Sequence, residues 1–85
     1  MTTADILLRA AELLERGGWC QNARSIGARH CALGAIDAVT NNNNDYYAAR
    51  LRLREYVGRA PAFWNDDPTR TASEVIAAMR EAAKQ

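Results

Sequence analysis

The residues best suited to covalent chemistry in this 85-residue chain are Cys20, His30 and Cys31, two of them adjacent. A Cys31 thiolate at the start of a helix would be stabilised by the positive end of the macrodipole, and Asn65 and Asp66 are the groups that would complete a nucleophile site with it. His30 is poorly placed to act as its base, because neighbours on a helix point about 100° apart. The competing reading is a small buried hydrophobe, since free cysteine is commonly buried and inert. It carries more weight, so the sequence leans away from an enzyme and leaves Cys31 as the one catalytic candidate. Cys20, His30, Cys31 and Asp66 are also the right ligand types for zinc. Their spacing matches none of the paired zinc signatures, and neither a metal nor another cofactor is expected.

A second chemistry is electrostatic. Arg50 and Arg54 stack four apart on one side of a helical stretch, with Arg52 and Arg59 nearby, and Tyr46 and Tyr47 are able to stack on bases. A nucleic acid is therefore one ligand for this Arg-rich helix, through its phosphates. Against it, Arg52 projects from a different side, and the net charge of +1 supplies no global field toward nucleic acid or an anionic membrane. The run of four asparagines before the helix also differs from the short glycine-bearing turn of a helix-turn-helix.

The preferred expectation is a small protein-interaction or regulatory module that binds a protein partner or a second copy of itself. Nucleic-acid binding and thiol catalysis are the alternatives. Aromatic residues and arginines are enriched in binding hot spots, and Trp19 and Trp64 are assigned to closing the core. Arg24, Arg50, Arg54, Asp66 and Asp67 then form the expected contact surface. Arg70 and Glu74, joined by Asp66 and Arg24, are expected to make a polar cluster that locks the loops.

Four helices must position these groups. The first is capped by Thr2 or Thr3, carries Asp5 in its opening turn, and buries Ile6, Leu7, Ala10, Leu13 and Leu14 before stopping at Gly17-Gly18. From Trp19 to Arg29 the period disappears, as in an ordered loop or short helical turn. A second helix from about His30 to Val39 is apolar all round and reads as central, and Gly34 within it implies close packing. Asn41 to Asn44 reads as a mobile connector, with Asp45 capping a third helix that buries Tyr46, Ala49, Leu53, Tyr56 and Val57 and ends at Gly58. Pro61 to Pro68 is a non-helical segment pinned on the core by Phe63 and Trp64. Thr71 to Glu74 fits a capping box, opening a last helix over Val75, Ile76, Met79, Ala82 and Ala83.

The expected fold is thus all-α: one compact four-helix domain over residues 1–85, with ordered tryptophan-bearing loops across one end. Hydrophobic residues at 48% and charged residues at 25% are ordinary for a globular chain. No stretch has the length of a membrane span, the N-terminus lacks signal-peptide character, and two cysteines in an unexported chain are expected as thiols in the cytoplasm.

Several ordered blocks carry a likeness. Trp19-Cys20-Gln21, Ala23-Arg24, Cys31-Ala32-Leu33-Gly34-Ala35-Ile36, Trp64-Asn65-Asp66, Arg70-Thr71 and Glu74-Val75-Ile76 together resemble a family of small proteins of unknown function found in actinobacteria and their phages. The resemblance implies a helical domain, a phage or prophage setting, and Trp64-Asn65-Asp66 with Arg70 docked near the second helix.

Overall fold

The computed structural model describes residues 1–85 and is mostly helical, with five helices and one two-stranded sheet. Helix α1 (Thr3–Gly17) begins at Thr2, whose side chain accepts from the Asp5 amide at 3.1 Å, while the Asp5 carboxylate accepts from the Thr2 amide at the same distance. Two amides at the helix start are satisfied reciprocally, and hydrogen bonding to Thr2 holds the Asp5 carboxyl below its usual range. Ile6, Leu7, Ala10, Ala11 and Leu14 form its buried stripe. Each large side chain buried there contributes about 1.5–3 kcal/mol.

After Gly18 the chain makes a feature that helical periodicity cannot show. Strand β1 (Ser25–Ile26) pairs antiparallel with β2 (Arg29–His30) around a two-residue turn led by Gly27 at φ 62°. Glycine in the first turn position suits the tight hairpin twist. His30 also lies beside Trp19: the His30 amide donates to the Gly18 carbonyl at 3.2 Å and the Cys20 amide donates to the His30 carbonyl at 3.0 Å. The expected loop is therefore a hairpin, and His30 belongs to it rather than to the second helix.

Helix α2 (Ala32–Val39) begins at Cys31, whose Sγ accepts from the Gly34 amide at 3.3 Å. Its residues Ala32 to Ile36 are all buried. Eight residues are too few for a helix to persist alone, so packing holds it. The backbone of Arg24 lies directly on this helix: its carbonyl accepts from the Cys31 amide at 2.9 Å and sits where a Cβ on Gly34 would be. Gly34 is present because a backbone occupies the space of a side chain. The centre of the fold is shared, however, since α1 packs against α2 and also against the two long helices that follow.

Helix α3 (Asn43–Val57) starts earlier than the sequence suggests. Asn42, not Asp45, is its cap, with Oδ1 accepting from the Asp45 amide at 3.1 Å, so half of the asparagine run is helical. It ends where expected, at Gly58 with φ 82°. Tyr46, Ala49 and Leu53 are buried, but Tyr56 is 45% exposed and leaves the core stripe to Val57.

Pro61 opens a helix instead of preventing one. It occupies the first position of α4 (Pro61–Asn65), where the missing N–H has no partner to lose. This short turn buries Pro61, Trp64 and Asn65 and leaves Phe63 exposed. Helix α5 (Ala72–Ala82) then begins with the expected capping box of Thr71 and Glu74 and buries Val75, Ala78, Met79 and Ala82. None of the helices is long and apolar enough to cross a membrane.

Candidate interaction surface

Asn65 is fully buried and organises one end of the molecule. Its Oδ1 accepts from the Trp19 indole at 2.7 Å and from the Ala32 amide at 3.0 Å. Its Nδ2 donates to the Cys20 carbonyl at 3.2 Å and to Asp66 Oδ1 at 2.9 Å. One amide thereby uses all four of its hydrogen-bonding directions and ties the hairpin, α2 and α4 together. Gln21 adds two more ties, donating to the carbonyls of Asn65 at 3.1 Å and Asp67 at 2.7 Å, and the Asn22 amide, at φ 64°, donates to Asp66 Oδ1 at 2.9 Å. The blocks Trp19-Cys20-Gln21 and Trp64-Asn65-Asp66 are the two halves of this one network.

Arg70 braces the same end from outside. Its guanidinium lies 4.3 Å from the centre of the Trp64 ring, its Nε donates to the Trp64 carbonyl at 2.9 Å, and its terminal nitrogens stand 3.5 Å from Glu74 and 4.0 Å from Asp67. Asp67 in turn accepts from the amide and hydroxyl of Thr69, which holds its carboxyl below the ordinary value. Arg70→Ala is expected to lower stability by about 1–2 kcal/mol, a fall in Tm of roughly 5–10 °C for a domain of this size. Arg70→Lys should restore less than half of the loss, because an ammonium neither stacks flat nor forks between two carboxylates. Thermal melts by circular dichroism read both variants, and an unchanged melt for Arg70→Ala would remove this brace from the account.

The thiols occupy packed positions. Cys20 is buried, its Sγ is 3.5 Å from the Ala23 carbonyl, and burial pushes its pKa up. Cys31 is half-buried and caps α2. Cys20, His30, Cys31 and Asp66 are not gathered into one group able to hold a metal ion.

The open surface lies along α3. Tyr47 and Leu51, one helical turn apart, are 57% and 53% exposed on the side opposite Ala49 and Leu53. With Arg50, Arg54, Ala60 and Pro61 they line a shallow hollow of about 340 Å³ between α3 and the start of α4. A row of aromatic and guanidinium contacts runs into it from the residues before the hairpin. The Arg24 guanidinium lies 5.6 Å from the Tyr46 ring centre, Tyr46 meets Tyr47 edge to face at 5.1 Å, and Arg50 lies 6.0 Å from the Tyr47 ring. Arg24 also donates to the Tyr46 hydroxyl at 3.2 Å, which raises its pKa further, and stands 3.8 Å from Asp37. The ion pairs of the molecule engage Arg16, Arg24, Arg70, Arg80 and Lys84, and leave Arg50 and Arg54 without a carboxylate.

The residues expected to make one contact surface thus divide between two places. Arg24, Arg50 and Arg54 share the α3 side, whereas Asp66 and Asp67 hold the loops on the Asn65 side together with Arg70 and Glu74. Arg24 takes no part in that polar cluster. Leu51 has no place in the sequence expectations, and Asn65 enters them only beside Cys31 and in the docked Trp64-Asn65-Asp66 block. Leu51 was legible, because it precedes Leu53 by two positions and so falls about 200° away from the core stripe. The part of Asn65 as the hub of the network carries no local signal, since it is defined by partners more than thirty residues away.

A second, larger hollow of about 600 Å³ lies between α1 and α5, lined by Leu8, Ile76, Ala77 and Ala83. Its rim charges already satisfy one another, Arg80 with Glu15 at 3.0 Å and Lys84 with Glu81 at 3.2 Å. Of these two hollows, the one on the α3 side has arginines without a carboxylate partner.

A protein-family model described as a family of unknown function matches residues 1–85. No curated protein and no solved structure matches the chain.

Proposed function

The chain belongs to this family, DUF6197, and because membership brings no activity with it we propose that the protein is a small cytoplasmic interaction module that takes a protein partner on the outer side of α3. In a phage or prophage setting that partner is a host protein. The observation that supports this reading is the second apolar stripe of α3. Tyr47 and Leu51 face away from the core, beside Arg50 and Arg54, on a helix whose inner side is already packed. A helix that meets only water needs one apolar side, and an exposed apolar strip rimmed by charge is the usual signature of a docking surface. Nucleic acid is the weaker fit, because Leu51, Ala60 and Pro61 line the hollow between the two arginines and offer nothing to a phosphate.

The test is affinity capture by the tagged chain from lysate of its native or host cell, beside Leu51→Asp and the double variant Arg50→Glu/Arg54→Glu. The expected result is a partner protein retained through nuclease treatment by the wild type and lost from both variants. Capture that ignores both substitutions, or retained material that nuclease removes, overturns the proposal.

A further inference from the structure

We infer that the partner presents an acidic amphipathic helix to α3, with one apolar side chain seated in the hollow between Tyr47, Leu51 and Pro61 and two carboxylates one turn apart on Arg50 and Arg54. The inference rests on the reading of this side of α3 as a protein-binding surface.

Charge complementarity selects the sign. Of the six residues that line the hollow two are arginines and none is an acid, so the hollow alone carries +2 in a molecule whose net charge is +1. Arg50 and Arg54 have no carboxylate within ion-pair distance, and the lining of the hollow holds no acidic side chain to offset them. An acidic segment therefore gains new charge-assisted hydrogen bonds here without displacing existing ones, and a basic segment meets uncompensated like charge.

Backbone geometry selects the shape. The hollow is walled by helix α3, whose main-chain groups bond within the helix, and by Ala60-Pro61, where Pro61 has no N–H to offer. The hollow offers no strand edge to an extended peptide, and a helix, which satisfies its own backbone, needs none. Arg50 and Arg54 are separated by four residues, about 6 Å along the axis, and carboxylates three or four positions apart on a partner helix repeat at the same pitch.

The test is display selection from a library of helix-patterned 16-residue peptides on the immobilised full chain, counter-screened on Leu51→Asp and Arg50→Glu/Arg54→Glu. Circular dichroism first shows each variant folded. The expected clones carry a Leu, Ile, Met or Phe flanked by Asp or Glu three or four positions apart. Resynthesised clones should lose about tenfold or more in Kd on either variant. Clones that depend on Leu51 but are neutral or basic overturn the acidic partner and leave the interaction reading standing. A selection with no clone sensitive to either variant overturns both.

Discussion

Asn65→Leu is expected to cost about 3–5 kcal/mol, which approaches the whole stability of a domain this small and should leave it partly unfolded at 37 °C. Leucine has nearly the shape of asparagine and none of its polar atoms. The Trp19 indole N–H, the Ala32 amide and the Cys20 carbonyl would each lose a partner that is itself fully buried. An orphaned buried polar group costs about 1–3 kcal/mol, and here the Ala32 amide and the Cys20 carbonyl are orphaned together while the half-buried Trp19 indole loses its acceptor as well. Asn65→Asp separates hydrogen bonding from shape. It keeps both acceptor contacts but removes the amide that donates to the Cys20 carbonyl and to Asp66, and sets a second carboxylate beside the first. Folding then favours the protonated form of the new acid, so its folded-state pKa is raised. Part of the stability should return at low pH, through the single O–H of the protonated acid, and be lost again as pH rises to neutral. Urea melts at pH 5 and pH 7, referred to wild type at each pH, read the sign. An Asn65→Leu melt within 1 kcal/mol of wild type would mean the network is not what holds this end together.

Gly34→Ala is expected to destabilise by about 2–3 kcal/mol even though alanine is the better helix former by about 1 kcal/mol. The added methyl would overlap the Arg24 carbonyl oxygen, a backbone atom that cannot rotate away. Either α2 tilts off the core or the hairpin moves, and the second course breaks the bond from the Cys31 amide to the same carbonyl. A fall in Tm of about 10–20 °C follows, at roughly 4–8 °C per kcal/mol for a chain of this length. Gly27→Ala is the useful contrast: it has open space around it and suffers only from its positive φ, so its loss should be much smaller. Equal melts for the two variants would mean that backbone crowding at Gly34 is not the controlling term.

The parts of the fold that were legible in the sequence are those fixed by neighbours a few residues away. Thr2 with Asp5 and Thr71 with Glu74 announce two helix starts, and Gly58 announces an end. Gly34 signalled close packing through its cost inside a helix. What was not legible depends on distant partners or on elements shorter than any period. Two-residue strands leave no alternation to detect, so periodicity places His30 in α2 although it pairs with Ser25 and Trp19. Pro61 excludes the middle of a helix but fits its first residue equally well, and only the burial of Trp64 and Asn65 decides between them. For the candidate site, Arg50 and Arg54 were visible by their spacing, while the apolar half of the surface was visible only as Leu51 standing off the core stripe.

The network around Asn65 also has a kinetic side. Its bonds join residues 19–22 to residues 65–67, separations of 44–46 positions, whereas the caps and turns of the helices close over three or four. Closing so long a stretch has an entropic cost that is recovered only once the intervening helices have shortened the path. The two ends are therefore expected to meet late, after α1, α2 and α3 have come together. Trp19 and Trp64, the only indoles in the chain, flank this closure. Tryptophan emission in a refolding experiment would accordingly time the latching of the finished domain, not the collapse that precedes it.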